Sequence, residues 1–320
     1  MKEKEPRRSQ TDKTKSLSTE THRTQLETSY MIKGLLIAVA PFLVTYILEI
    51  IAYFADFAIV TALNTYLGFK INFDEDSYIG GTMPTNTAIT NLIYALLCLI
   101  IFGWWYLMVC EKNRLSTATA NTAKKAGSAK NEKKPEDNTG NTLLKTIALL
   151  VAGGIAFQLF VDSIIALIKR VAPKLFTSYD EMIGNMTERT FLLMLTVILL
   201  GPIAEEIIFR GLTLHFARKV LSIKPAVLFT ALLFGLYHGS IIQGIYAFVA
   251  GIIFCQITIK FKSILPAVFL HIMVNASVYL IPQDLFSAVI PTVLTFVMSG
   301  AILYLVFLKL IKRPAKNTPY

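Results

Sequence analysis

Eight stretches of this chain are apolar for long enough to cross a bilayer, and nothing else in the sequence restricts its fold as strongly. A hydrocarbon core of about 30 Å takes roughly 20 residues of helix, because backbone inside lipid must satisfy its own hydrogen bonds. The runs fall at approximately 33–54, 89–110, 142–168, 190–210, 225–240, 242–260, 264–281 and 286–309. They predict an all-α polytopic membrane protein of about eight transmembrane helices, with any active site inside the helix bundle. The first apolar stretch continues to about residue 69, too long for one crossing, so 55–68 are expected to bend along the outer surface as an amphipathic helix.

Between the runs, composition divides the chain. Residues 1–30 are polar and charged, with no apolar segment beside a small-residue cleavage site, and read as a basic cytoplasmic tail rather than a removable signal peptide. Residues 31–110 hold two N-terminal helices. The segment 111–141, built from Ser, Thr, Asn, Lys and Gly, is expected to be a disordered Lys-rich cytoplasmic loop. A six-helix core follows at 142–311, then a short cytoplasmic tail at 312–320.

The net charge of +10 would suggest nucleic acid in a soluble protein, but here Lys and Arg collect between apolar runs, where they set topology. The basic N-terminal tail, the 111–141 loop, Arg218 with Lys219, Lys260 with Lys262, and the C-terminal tail all fall on one side of an eight-span count. That side is the cytoplasm, which puts both termini there; in a bacterium the membrane is the plasma membrane. Only Lys169, Arg170 and Lys174 fall on the other side. No nucleic-acid face is expected. Cys98, Cys110 and Cys255 show neither metal-ligand spacing nor a disulfide framework. There is no internal repeat, which weakens a transporter reading.

Ionisable groups inside a membrane are costly unless paired or wetted, so each is a functional-site hypothesis. Three clusters stand out. The first is Gly201-Pro202-Ile203-Ala204-Glu205-Glu206-Ile207-Ile208-Phe209-Arg210-Gly211, near the cytoplasmic end of the fourth run. The second is Phe234-Gly235-Leu236-Tyr237-His238, and the third is His271-Ile272-Met273-Val274-Asn275. Glu206 and Arg210 are four apart and share a helix face as a favourable ion pair, while Glu205 is turned about 100° away. Glu205 is then free to face a cavity as a general base. The plainer reading is an interfacial salt bridge with one spare Glu.

Phe234 lies one turn before His238, close enough for ring packing to orient the imidazole; taken alone, such a histidine is more often a satisfied core residue. His271 and Asn275, also four apart, can aim two donors at one point, as an oxyanion hole requires, or can simply hold two helices together. Gly235 and Gly239 form a small-residue step that would let another helix approach closely. Glu49, Asp56 and Asp162 are intramembrane acids with no motif around them, suited to polar contacts between helices or, for Glu49 and Asp56, to a wet substrate entrance.

The three clusters match, in order, the Glu-Glu-x-x-x-Arg, Phe-x-x-x-His and His-x-x-x-Asn motifs of the CAAX-protease and bacteriocin-processing family, also called Abi proteins or type II CAAX prenyl endopeptidases. The resemblance covers about 190–280. It implies a membrane endopeptidase acting on a peptide or protein substrate, prenylated in some members and linked to bacteriocin immunity or peptide maturation in bacterial ones. By the same resemblance Glu205 and His238 hold and deprotonate the attacking water, His271 and Asn275 stabilise the oxyanion, and Glu206 with Arg210 are supporting. No Ser or Cys occupies a motif position and there is no His-Glu-x-x-His helix, so no nucleophilic triad or zincin site is indicated. No cofactor is expected. A zinc alternative uses Glu205, His238 and His271 as a His₂Glu set. A further alternative is a non-catalytic membrane immunity or regulatory protein that binds a partner through the same helices.

Overall fold

The computed structural model describes residues 10–72, 78–79, 83–84, 86–125, 139–180 and 190–311. Among them the chain is almost wholly helical; the one strand pairing is a two-residue antiparallel ladder in which Tyr78 faces Pro84 and Ile79 faces Met83. Eight principal helices follow in chain order: α1 (Gln10–Leu67), α2 (Thr87–Lys125), α3 (Thr139–Val171), α4 (Phe191–Ala217), α5 (Ile223–Tyr237), α6 (Ile241–Phe261), α7 (Leu265–Leu280) and α8 (Val289–Ile311). The chain is an integral membrane protein of the all-α polytopic class. Six of these helices are long and apolar enough to span a bilayer. The other two, α5 with 15 residues and α7 with 16, rise only about 22–24 Å, short of a hydrocarbon core of about 30 Å.

Three expectations about the first half need correction. No bend occurs at 55, because α1 runs unbroken to Leu67. Asp56, read from the sequence as a polar contact between helices or part of a wet entrance, is fully buried, and its Oδ2 accepts the backbone N–H of Asn86 at 2.6 Å. Asn86 in turn caps α2, its Oδ1 accepting from Ile89 N at 3.1 Å. The polar tail is helical from Gln10, and the first part of the expected 111–141 loop continues α2 to Lys125. The remainder of that loop at 126–138, the first nine residues and the tail at 312–320 lie outside the described residues.

The packing centres on α4, which touches α1, α2, α5, α6 and α7, while α3 closes the other side against α7 and α8. Small residues set the closest approaches. A Cβ on Gly154 of α3 would stand 2.5 Å from Met273 Cβ of α7. A Cβ on Gly235 of α5 would stand 2.7 Å from the Gly244 carbonyl of α6. Gly239 does not join this contact, contrary to the sequence expectation. Its φ of +67° makes the turn between α5 and α6, which an L side chain would strain.

Candidate active site

Residue Glu205 does not lie near the end of its helix. The sequence reading ended the fourth run at Arg210, treating the charge as an interface marker, yet α4 continues to Ala217 and Arg210 is 2% exposed. Glu205 is therefore near mid-helix, about 18 Å from its C-terminal end. His238 caps the C-terminus of α5, about 22 Å from the start of that helix. Because α4 and α5 are joined by a short connection at 218–222, both depths are measured from nearly the same level. The two side chains line one cavity.

Two π turns interrupt α4, Thr196–Leu200 and Ile207–Thr213, and such insertions often accompany functional sites. In the first, the Gly201 N–H reaches back five residues to the Thr196 carbonyl. In that register the Val197 carbonyl would be served by the N–H of residue 202, which is Pro and has none. The orphaned carbonyl is taken by α7: Asn275 Nδ2 donates to Val197 O at 2.8 Å. One amide hydrogen of Asn275 is thereby committed and the other remains.

On the dry side of α4, Arg210 Nη1 meets Glu206 Oε1 at 2.8 Å, both side chains having no exposure at all. A second guanidinium nitrogen, Nη2, donates to the Gly251 carbonyl at 3.3 Å. The guanidinium carbon lies 4.2 Å from the ring centroid of Phe234 and 5.0 Å from that of Phe254, so the cation is enclosed by aromatic faces. Nδ1–H of His271 donates to the same Glu206 oxygen at 3.0 Å. Glu206 is thus the anchor of both Arg210 and His271.

On the other side of the helix a cavity of about 910 Å³ is lined by Glu205, Phe234, His238, His271 and Asn275. His238 Nδ1 lies 2.8 Å from the Phe234 carbonyl. A carbonyl only accepts, so the proton is on Nδ1 and Nε2 carries the lone pair. The Phe234 ring packs edge-on against His238 at 4.8 Å and against His271 at 5.8 Å, which bears out the expectation that it orients the imidazole. Nε2 of His271 stands 3.7 Å from Glu205 Oε2, beyond hydrogen-bond range but spanned by a reacting atom or water. Glu205 Oε2 is buried without a hydrogen-bond partner.

The cavity thus gathers all four sequence candidates, Glu205, His238, His271 and Asn275, and leaves the supporting pair Glu206 and Arg210 outside its wall. The donor pair is more constrained than expected, since His271 and Asn275 each spend one donor on α4. Sequence reasoning missed several residues: Phe254, the Gly251 and Val197 carbonyls, and Tyr94 and Tyr237, whose hydroxyls pair at 2.9 Å on the cavity wall. Apart from the position of Tyr237 beside a motif histidine, nothing in the sequence marks them. Glu49 and Asp162 also line the cavity, Glu49 beneath Tyr53 at 3.3 Å and Asp162 against Gln158 at 2.8 Å. Among the described residues no three His, Cys, Asp or Glu side chains gather as a metal-ligand group.

Fold and site together define a polytopic helical membrane protein with a polar, hydrolase-like site enclosed in its bundle. Residues 187–277 match the model of the Rce1-like type II CAAX prenyl endopeptidases, a match that supports a CAAX-protease domain over this part of the chain. The matched stretch runs from α4 through most of α7 and contains every motif residue. No curated protein and no solved structure matches the chain significantly.

Proposed function

We propose that this protein is an intramembrane endopeptidase that hydrolyses a peptide or protein substrate with water activated by Glu205 and His238. The observation that carries the reading is convergence: Glu205 from α4, His238 from the end of α5, and His271 and Asn275 from α7 line one cavity, with the last three held by hydrogen bonds to neighbouring groups. Nε2 of His238 and the carboxylate of Glu205 are the two proton acceptors. A water between them gives up a proton and adds its oxygen to the scissile carbonyl carbon. The carbonyl oxygen takes the negative charge. It accepts from the spare Asn275 amide hydrogen and from His271 Nε2, with that ring protonated on both nitrogens and Nδ1–H still on Glu206. Collapse breaks the C–N bond, and the amine leaves with the proton first taken from water.

The Rce1-like match makes a farnesylated Cys-aliphatic-aliphatic-X peptide the first substrate to try, and the positive-charge pattern supports a site opening from a bundle with cytoplasmic termini. A zinc reading is favoured by one observation, the engagement of both imidazole Nδ1 atoms by acceptors, which is how metal-ligating histidines are usually oriented. The three donors do not assemble as a ligand group, and no step is routed through a metal.

The test is cleavage of that peptide by purified wild type and by Glu205→Gln, each with and without a strong chelator, alongside metal content. The expected result is a wild type active in chelator and an inactive variant. Stoichiometric zinc with activity lost on stripping would replace the mechanism; equal cleavage by wild type and variant would remove Glu205 from it. A biological phenotype untouched by Glu205→Ala would favour a binding-only protein.

A further inference from the structure

The cavity has a direction across the bundle, and two contacts set its scale. At one level Gly34 of α1 packs against Val220 in the α4–α5 connection, and at the other Asp56 of α1 accepts from Asn86 at the start of α2. Between them α1 rises about 33 Å, close to the roughly 30 Å of a hydrocarbon core. The first level is the basic one. Arg218, Lys219 and Lys224 flank Val220, and α6 returns there to Lys260 and Lys262, antiparallel to α5 with Gly244 against Gly235 and Gly251 against Ala231.

From Glu205 the cavity extends away from that level. α2 lines it from Thr90 to Ala95, next to its start, α4 from Thr196 to Glu205, and α3 from Phe157 to Lys169, its second half. No described residue of the connections at 218–222 and 262–264 lines it. The inner end is closed by buried Ala204, Phe234 and Phe254. The outer end reaches exposed Pro282 and the ion pair of Lys169 with Asp180, whose side chains are 44% and 43% exposed. Lys169 and Arg170, cations that an eight-span count leaves on the wrong side, are part of this mouth. Lys169 pairs with Asp180, and Arg170 donates to the Phe286 carbonyl at 2.7 Å, tying α3 to the α7–α8 connection. Those contacts set their place, and they are few beside the basic residues of the opposite level.

We propose that the site is entered from the extracytoplasmic face, and that its substrate is a peptide segment exported to or exposed on that face, not a cytoplasmic C-terminus. The inference rests on the endopeptidase reading for what enters, on the cavity for which end is open, and on the excess of Lys and Arg at the opposite end for which face is cytoplasmic. From Glu205 to the far level is about 15 Å, which an extended chain covers in about five residues. The substrate therefore presents its scissile bond on an unfolded segment at least that long.

The test reads access in the full-length protein, in intact cells and in inverted membrane vesicles. Cys110, the exposed cysteine, is replaced by Ser, while Cys98 and Cys255 are buried and stay. Single cysteines are then placed at the mouth by Pro282→Cys, on the cavity wall by Asp162→Cys, and at the basic level by Lys224→Cys, with Gln243→Cys as a second wall position should the first not fold. A small membrane-impermeant thiosulfonate is added to one face at a time. Mouth and wall should react from outside in intact cells, and Lys224→Cys only in inverted vesicles. Wall cysteines that react from the cytoplasmic face alone or from neither face, or a Lys224→Cys that reacts from outside, overturn the inference. In detergent, where both faces are open, the adduct at Pro282→Cys should cost most of the turnover of the farnesylated peptide and the adduct at Lys224→Cys none; the reverse pattern also overturns it. Labelling needs no catalysis, so a Glu205→Gln protein that cleaves like wild type removes the base and leaves the entrance, whereas reversed labelling removes the entrance and leaves the base.

Discussion

Glu205 and Glu206 are neighbours in sequence, yet one helix sends them into opposite environments. Glu206 sits where nothing is exposed, with Arg210, His271 and two aromatic rings closing around the ion pair. Glu205 stands on a cavity wall, 16% exposed, with a buried oxygen that has no partner. Each keeps one buried oxygen without a partner, but Glu206 has its charge balanced by Arg210 and is therefore structural, whereas Glu205 has no such counter-ion bonded to it and stays available for chemistry. An intramembrane carboxylate is expensive in both places. What separates them is whether the protein itself neutralises the charge or leaves it to a substrate and water.

The sharpest way to break this contrast is to remove the charge on the cavity side. Glu205→Gln should abolish proteolysis, as should His238→Ala, while both proteins insert, fold and melt like wild type. Cleavage kinetics paired with thermal melting in micelles measure the two halves of the statement. A Glu205→Gln protein that fails to fold would mean that the cavity side is structural too.

On the dry side the same chemistry should read out as stability. Glu206→Gln or Arg210→Ala leaves a buried charge alone, which in other buried pairs costs about 3–5 kcal/mol. Folded yield should drop sharply in each, and activity with it, because Glu206 also orients His271. Restoring the neutral balance in the double variant Glu206→Gln with Arg210→Met should recover part of the yield but not the activity. Wild-type yield and melting in either single variant would show that the pair is not an anchor.

Much of this could be read before the structure, for a physical reason: bilayer thickness fixes helix length, so apolar runs locate helices, and helical spacing separates Glu205 from Glu206. The depth of the site could not. Arg210 reads as an interface residue because the groups that bury it, the Gly251 carbonyl, Phe234 and Phe254, come from elements up to 44 residues away by number. The setting of Asp56 was hidden similarly, since its partner Asn86 lies thirty positions along. Tyr94 and Tyr237 are separated by 143 positions, and no local pattern announces a contact of that kind.

A smaller effect tests how tightly the dry packing fixes the cavity. Gly235 lies three residues before His238, and a methyl group there would press on the Gly244 carbonyl at 2.7 Å and on Phe248 Cβ at 3.3 Å. Gly235→Ala should destabilise by about 1–3 kcal/mol, as overpacking does elsewhere. It should also lower kcat, because α5 must move and carries His238 with it. A variant with reduced stability but unchanged kcat would show that the turn at Gly239 isolates His238 from the α5–α6 contact.

The smallest expected effect belongs to Asp56, the dry-side acid farthest in role from the chemistry. Its Oδ2 accepts the Asn86 N–H at 2.6 Å and so supports the start of α2, the helix that presents Tyr94 to the cavity. In Asp56→Asn the side-chain oxygen can still accept that N–H, so only the charge assistance is lost, about 1 kcal/mol in comparable bonds. Melting should fall slightly and kcat should hold, because α2 keeps its start. Asp56→Ala removes the acceptor as well and leaves a buried N–H unpaired, which costs about 1–3 kcal/mol. If Asp56→Asn instead silenced cleavage at full stability, Asp56 would belong with Glu205 on the reactive side, and a bonded partner from the protein itself would no longer separate structural acids from reactive ones.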